Sequence, residues 1–222
     1  MSSGLRYKFQ GSHISLTTDF EAGSPPANVI TGITKANPCV ISYTGTAVVP
    51  GDVIQVVGAL GMIELNGRTF IVDTGSTPGS AKLFDTDSTG YTAWSSSGHF
   101  DTATWSEFCE VKNWNRTGAS KTQNDVSTVC STEQEFESGL AGPGSLALTF
   151  NYAGDTAAAQ IALTAFDRSG DKIGIKRVLP NNGGTRIYIG TVQQMSDTGG
   201  VNGVWEASAT IQLTGPHYTV PA

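Results

Sequence analysis

The chain has 222 residues, of which 38% are apolar and only 14% charged, with 27 glycines and a formal net charge of −6. That length holds one large β domain or two small ones, and the glycine-rich, charge-poor texture fits strands and turns rather than a helical bundle or a disordered chain. The acidic balance argues against tight nucleic-acid binding, which needs a surface that neutralises phosphates, but it permits a surface past which nucleic acid slides.

The N-terminal FQGSHISLTTDF has no apolar core of signal-peptide length, so no secretion signal is expected. No window approaches about 18 consecutive apolar residues, so no membrane-spanning helix is expected. Cys39, Cys109 and Cys130 are odd in number and widely spaced, and read as reduced thiols of a chain made in a cytosol. The Asn115-Arg116-Thr117 sequon is then a chance match.

In chain order, residues 5–9 and 13–17 have short strand character. EAGSPPAN, residues 21–28, reads as a linker. From Val29 to Phe100, strands are expected over VITGIT, CVISYTG, DVIQVVG, RTFIVD and AKLFD, with strong turn signals between them. Asn66-Gly67 suits a type I′ hairpin and Pro50-Gly51-Asp52 a tight turn. This stretch reads as a compact all-β module of about 70 residues, near the lower limit for an independent core.

WSEFCEVKNW, residues 105–114, is expected as one strand. NRTGASKTQNDVSTVCSTEQE follows and is polar for about twenty residues, which is long for a structureless loop in a compact domain. It is either an idle mobile loop or a segment ordered by a partner.

Ser145–Gly170 carries the clearest pattern. Leu146, Leu148, Phe150 and Tyr152 alternate on one face of a strand. Ala158, Ile161, Ala162, Ala165 and Phe166 then fall on one helical face, with Asp155 or Thr156 as N-cap and Gly170 as the stop. DKIGIKRVL, TRIYIGTVQQM and VWEASATIQL follow as strands. In the last, Trp205, Ala207, Ala209, Ile211 and Leu213 share a packed face. These make an antiparallel sheet with one face packed and one wet.

No catalytic or metal constellation emerges. His13, His99 and His217 lie far apart, and no HExxH, GxSxG, P-loop or CxxC spacing is present. Asp85 and Asp87 in FDTDSTG resemble the start of a calcium loop but lack its later ligands, so an Asx-type turn is the better reading. Glu133, Glu135 and Glu137 alternate in CSTEQEFES. If that stretch is a strand, all three carboxylates share one face. That face is either simply solvated or an acidic surface that, repeated around a symmetry axis, repels DNA.

Trp105–Thr214 resembles the major tail tube proteins of long flexible-tailed (siphovirus-type) bacteriophages. The resemblance is carried by the order EFCEVKNW, DVSTVCSTEQEFESGL, GSLALTFNY, an alanine-rich helix and VWEASATIQLTG, with DVST…EFESGLAGPGSLALTFNY the most telling run. Val29–Phe100 is similar to the small half-domain of ubiquitin-activating enzymes, through VITGITKANPCVISYTG, GDVIQVVGALGMIELNGRTFIV and FDTDSTGYTAW. That likeness implies a fold and no ubiquitin chemistry.

These resemblances imply a mainly β protein: a tail-tube-type β-sandwich from 1–22 and 101–222 with one flanking α-helix, and a linker and inserted small all-β decoration domain at 23–100. They imply a virion subunit with no cofactor or enzymatic activity, made in the host cytoplasm. Six copies would form a ring, rings would stack into a tube, and double-stranded DNA would pass through without specific binding. Tape measure and tail terminator proteins would be its partners. Residues 115–132 become the assembly loop, with Asn115, Arg116, Lys121 and Asp125 as candidates, and Glu133, Glu135 and Glu137 become candidates for the lumen. The rival reading is a surface-binding adhesin or carbohydrate binder, with Tyr91 and Trp94 as its aromatics.

Overall fold

The computed structural model describes residues 7–21 and 27–220. Residues 22–26 of the expected linker lie outside the described residues, as do Leu5 and Arg6 of the first expected strand; Tyr7–Phe9 is not strand. In chain order the strands are β1 (His13–Glu21), β2 (Asn28–Ile33), β3 (Val40–Gly45), β4 (Val53–Val57), β5 (Thr69–Ile71), β6 (Ser80–Lys82), β7 (His99–Glu107) and β8 (Val111–Thr117). Then come β9 (Ser120–Asp125), β10 (Phe136–Gly142), β11 (Ser145–Asn151), helix α1 (Ala158–Ser169), β12 (Lys172–Val178), β13 (Thr185–Thr198), β14 (Glu206–Leu213) and β15 (Tyr218–Val220).

The main sheet runs β6-β3-β2-β7-β1-β12-β13-β14-β11-β8. Two long strands let it fold over. The first half of β13 pairs with β12 and β15, and its second half extends along β14 after a register shift between Val192 and Gln194. A bulge of this kind sharpens the local twist and turns the sheet on itself. β7 does the same job at the other side: its start pairs with β4 and the rest with β1. The expected domain boundary at residue 100 therefore falls inside a strand.

Period-two alternation sorts the apolar residues into separate cores. The largest lies inside the fold of the sheet, where Leu16, Leu146, Leu148, Phe150, Ile173, Ile175, Tyr188 and Ile211 meet the buried stripe of α1. The 28–98 region has its own core, built from Ile41, Tyr43, Ile54, Met62, Leu65, Leu83 and Phe100 among others. A third, smaller cluster joins the two: Val53 and Ile71 pack against Ile187, Ile189 and Tyr218. Because residues 187 and 189 point away from the side chain of Tyr188, the 28–98 region covers the back of β13.

Several expectations need correction. WSEFCEVKNW is two strands, β7 and β8, reversed by a turn at Cys109–Glu110. Asn66-Gly67 is not a type I′ turn: Asn66 has φ −62° and ψ 136° and Gly67 has φ +70°, with Arg68 N–H donating to Leu65 O at 3.1 Å, a type II turn. The reason is local, since the Asn66 side chain brackets Ala59, accepting from its N–H at 2.8 Å and donating to its carbonyl at 2.9 Å. The turn at Pro50-Gly51 forms as expected, closed by Asp52 N–H to Val49 O at 3.0 Å.

The α1 stripe is rotated from the expected one. Ala159, Gln160, Ala162, Leu163 and Phe166 are buried, while Ala158, Ile161 and Ala165 are exposed. Leu163 and Phe166 decide the orientation because they carry the largest apolar surface toward β1 and β13; truncating Leu163 to alanine would cost about 2–5 kcal/mol. Neither Asp155 nor Thr156 caps the helix. Its N-cap is Ala157, with no side-chain cap, because a 3-10 turn at Gly154–Thr156 precedes it. Gly170 ends the helix in the left-handed conformation, its N–H donating to Phe166 O at 2.9 Å. Tyr152 and Trp205, expected on packed strand faces, lie just beyond β11 and β14 and are about half exposed.

Candidate assembly surface

The long polar segment starts in the main sheet, as the end of β8, and continues beyond Thr117 as a paired hairpin outside it. β8 and β11 pair from Thr117 opposite Ser145 to Val111 opposite Phe150, with a register shift between Thr149 and Phe150. Beyond Thr117, β9 and β10 pair with each other from Ser120 opposite Gly142 to Asp125 opposite Phe136, as a separate two-stranded sheet. The result is an arm that leaves the sheet at its β8–β11 end. Its residues are exposed almost throughout. Glycine makes the neck: Gly144 has φ +89°, and a Cβ there would sit 2.3 Å from Thr117 O.

The arm tip is held by short polar contacts. Val126 N–H donates to Glu135 O at 2.9 Å, Ser127 N–H to Asp125 Oδ1 at 2.9 Å, and Glu135 N–H to Ser127 Oγ at 2.9 Å. Hydrogen bonding from the Ser127 hydroxyl and from its backbone N–H holds the Asp125 carboxyl below its ordinary value. Val126, Val129, Phe136 and Leu140 are exposed along the arm. A lone two-stranded hairpin is marginal in water, and its open edges and bare apolar side chains are what a partner surface would cover.

The candidate residues separate on this frame. Asn115 and Arg116 are not loop residues: they sit in β8 opposite Ala147 and Leu146. Lys121 and Asp125 belong to β9. Glu133, Glu135 and Glu137 do not share one strand. Only Glu137 lies in β10, opposite Asn124, while Glu133 sits in the bend and Glu135 just before the strand. The chain must reverse between Val126 and Glu135, so strand alternation cannot extend back to Glu133.

Sequence reading missed a second feature, an arginine cluster at the arm's base. Arg116 lies over the Tyr188 ring at 5.4 Å, and Arg177 over the Trp114 ring at 5.4 Å. Tyr188 in turn stacks on His217, with ring centroids 5.6 Å apart. Cross-strand pairing puts these groups on the core face, since Arg116 opposes Leu146 and Trp114 opposes Leu148. Among the described residues, Arg116, Arg177 and Arg186 have no carboxylate within salt-bridge distance. Burial, reinforced by Arg116, Arg186 and Arg177, pushes the His217 imidazole below its ordinary value. No signal at the level of spacing could have joined positions 116, 177 and 217.

At the opposite end of β11 and β14 lies an apolar pole. Tyr152, Ile161, Val201, Val204 and Trp205 are all exposed there. By contrast, Tyr91 and Trp94 pack against the 28–98 core; Trp94 Nε1 donates to Ser97 O at 3.0 Å and the Tyr91 hydroxyl accepts from Arg68 at 2.7 Å. Packing explains them without a glycan. Asp87 forms the Asx-type turn, accepting from Thr89 N–H at 2.9 Å. Among the described residues no three His, Cys, Asp or Glu side chains converge to hold a metal ion.

The model of the phage tail tube protein family, TTP, matches residues 61–221. The chain belongs to the phage tail tube protein family. This is a structural family, and the chain is no enzyme. The match begins within the 28–98 region, ahead of the 3-10 turn at Ile63–Leu65. Among solved structures the tail tube chain is similar to the SPP1 tail tube, determined by solid-state NMR and cryo-EM. That likeness has 16% identity and a TM-score of 0.41, over 54% of this chain and 69% of that one. No curated protein matches it.

Proposed function

We propose that this tail tube subunit polymerises as stacked hexameric rings in the tail of a long flexible-tailed phage, and that the arm spanning 119–142 is its assembly element. One observation carries the reading: a paired, largely exposed hairpin stands at one end of the sheet while a bare apolar pole stands at the other. Different surfaces at opposite ends suit head-to-tail contacts, which propagate without closing on themselves. The family supplies the tube; the ring number and the flexible-tailed type come from the sequence resemblance alone. Tape measure and tail terminator proteins would meet the tube at its interior and end, and the virion tail would be its location after synthesis in the host cytoplasm.

The lumen is best assigned to the wet face of β8, β11, β14 and the second half of β13. Asn113, Asn115, Thr149, Gln194, Thr210 and Gln212 project there, with Ser196 and Ser208 joined Oγ to Oγ at 2.8 Å. Its centre carries amides and hydroxyls and no charge, so duplex DNA would find neither counter-charges to bind nor strong repulsion. Glu133, Glu135 and Glu137 ride on the arm, past the end of this face, which favours an assembly role over the lumen. The 28–98 region packs on the back of β13 and would decorate the outside, as an insertion between β1 and β7. Its likeness to the half-domain of ubiquitin-activating enzymes rests on sequence alone.

The test is to replace 119–142 with a two-residue Asn-Gly turn. β8 and β11 are already paired at Thr117 and Ser145, so the closure spares the sheet. A folded protein that makes no tubes under electron microscopy supports the reading, and normal tubes would sink it.

A further inference from the structure

We propose that the arginine groove at the base of the arm receives the acidic arm tip of a second copy of this chain. The groove encloses about 400 Å³ and is lined by Arg116, Ala119, Ala141, Pro143, Pro216 and His217. Behind it stand Trp114, Tyr188 and Arg177. The site is built but incomplete. Tyr188 is 98% buried, yet its hydroxyl has no hydrogen-bond partner, and neither do Trp114 Nε1, Arg116 Nε and Arg177 Nε. Buried donors of this kind are costly unless something pairs with them. Stacking on an aromatic face fixes a guanidinium plane and leaves its edge free to take a carboxylate through two parallel hydrogen bonds.

The occupant is indicated by charge and by reach. Between Asp125 and Glu137 the tip carries four carboxylates, Asp125, Glu133, Glu135 and Glu137, and no lysine or arginine. Among the described residues, it is the acidic run that the fold holds away from the body. The same chain's tip cannot fill its own groove. Ala119 and Ala141 line the groove at the arm's root, and the paired strands hold the tip roughly 20 Å beyond it at about 3.3 Å per residue. The contact is therefore between copies, each arm lying over a neighbour's root. It rests on the assembly role proposed above and names the surface that role requires.

The test uses the cysteine already at the tip, Cys130, which is exposed and free. A chain with Ala119→Cys and Cys109→Ser is assembled and treated with copper phenanthroline as oxidant. Docking predicts an intermolecular ladder on a non-reducing gel that vanishes on adding Cys130→Ser. Charge reversal gives a second reading. Arg116→Glu with Arg177→Glu, or the three tip glutamates changed to arginine, should each raise the minimum concentration for tubes by about tenfold or more. Combining the two sets should recover most of it. Loss of tubes on arm replacement, with no ladder from assembled chains, overturns the docking and leaves the assembly role standing. Tubes without the arm overturn both. Groove variants that assemble normally but slow DNA release assign the arginines to DNA and overturn the docking.

Discussion

Gln160 fastens α1 to the end of β11: its Nε2 donates to Asn151 O at 2.9 Å while its Oε1 accepts from Ala153 N–H at 3.0 Å. The side chain is 3% exposed, so both bonds are made out of reach of water. It pairs backbone groups ahead of the helix and leaves the first N–H groups of α1 uncapped by any side chain. Gln160→Leu leaves two backbone groups unpaired and should lower stability by about 1–3 kcal/mol, read from denaturant midpoints. An unchanged midpoint would show that water replaces the amide.

The neck of the arm depends on Gly144. Gly144→Ala combines a left-handed backbone with a Cβ 2.3 Å from the Thr117 carbonyl. The β8–β11 end should loosen, at a cost of about 1–3 kcal/mol, and tube formation should weaken before the global fold is lost. Hydrogen exchange at Thr117 and Ser145 reports the loosening directly. Equal protection in the two chains would refute the neck's role.

His217 gives the stability a pH dependence. Its partners on the neighbouring strands are Arg116 on β8, Arg177 on β12, and Arg186 and Tyr188 on β13. The folded chain resists protonating it, so below the ordinary value of 6.5 the unfolded chain binds more protons. Stability should fall on acidification through that value and level off once the folded imidazole also titrates. His217→Gln should flatten this part of the profile. Parallel profiles for the two proteins from pH 7 to pH 5 would exclude the effect.

The wet face predicts a transport phenotype. Thr210→Arg with Gln212→Arg places two cations per subunit at the uncharged centre of that face. If that face lines the lumen, tubes should form normally while genome ejection slows by about tenfold or more, with the defect relieved by salt. Ejection at the normal rate would move the lumen elsewhere.

How much of this was legible in the sequence can be seen residue by residue. Leu146, Leu148 and Phe150 announced β11, and Ala207, Ala209, Ile211 and Leu213 announced β14, because a one-sided core imposes period two on any strand that covers it. Gly170 announced the end of α1 because a left-handed residue was needed there. The family likeness was legible in the order of these elements. β9 and β10 were not, since SKTQND carries no apolar alternation and its strand character comes only from the partner opposite it. Nor was the orientation of α1, where Ile161 and Leu163 compete and only the position of β1 and β13 decides. The sequence by itself determined a β-rich chain with one helix, its main strands and the presence of a long polar excursion, because those follow from local periodicity and turn chemistry. Only the tertiary structure decided that the excursion is a projecting arm, that three glutamates ride on it without sharing a strand, and that Arg116, Arg177 and His217 meet at its root, because strand pairing joins residues a hundred positions apart according to register, which no local pattern encodes.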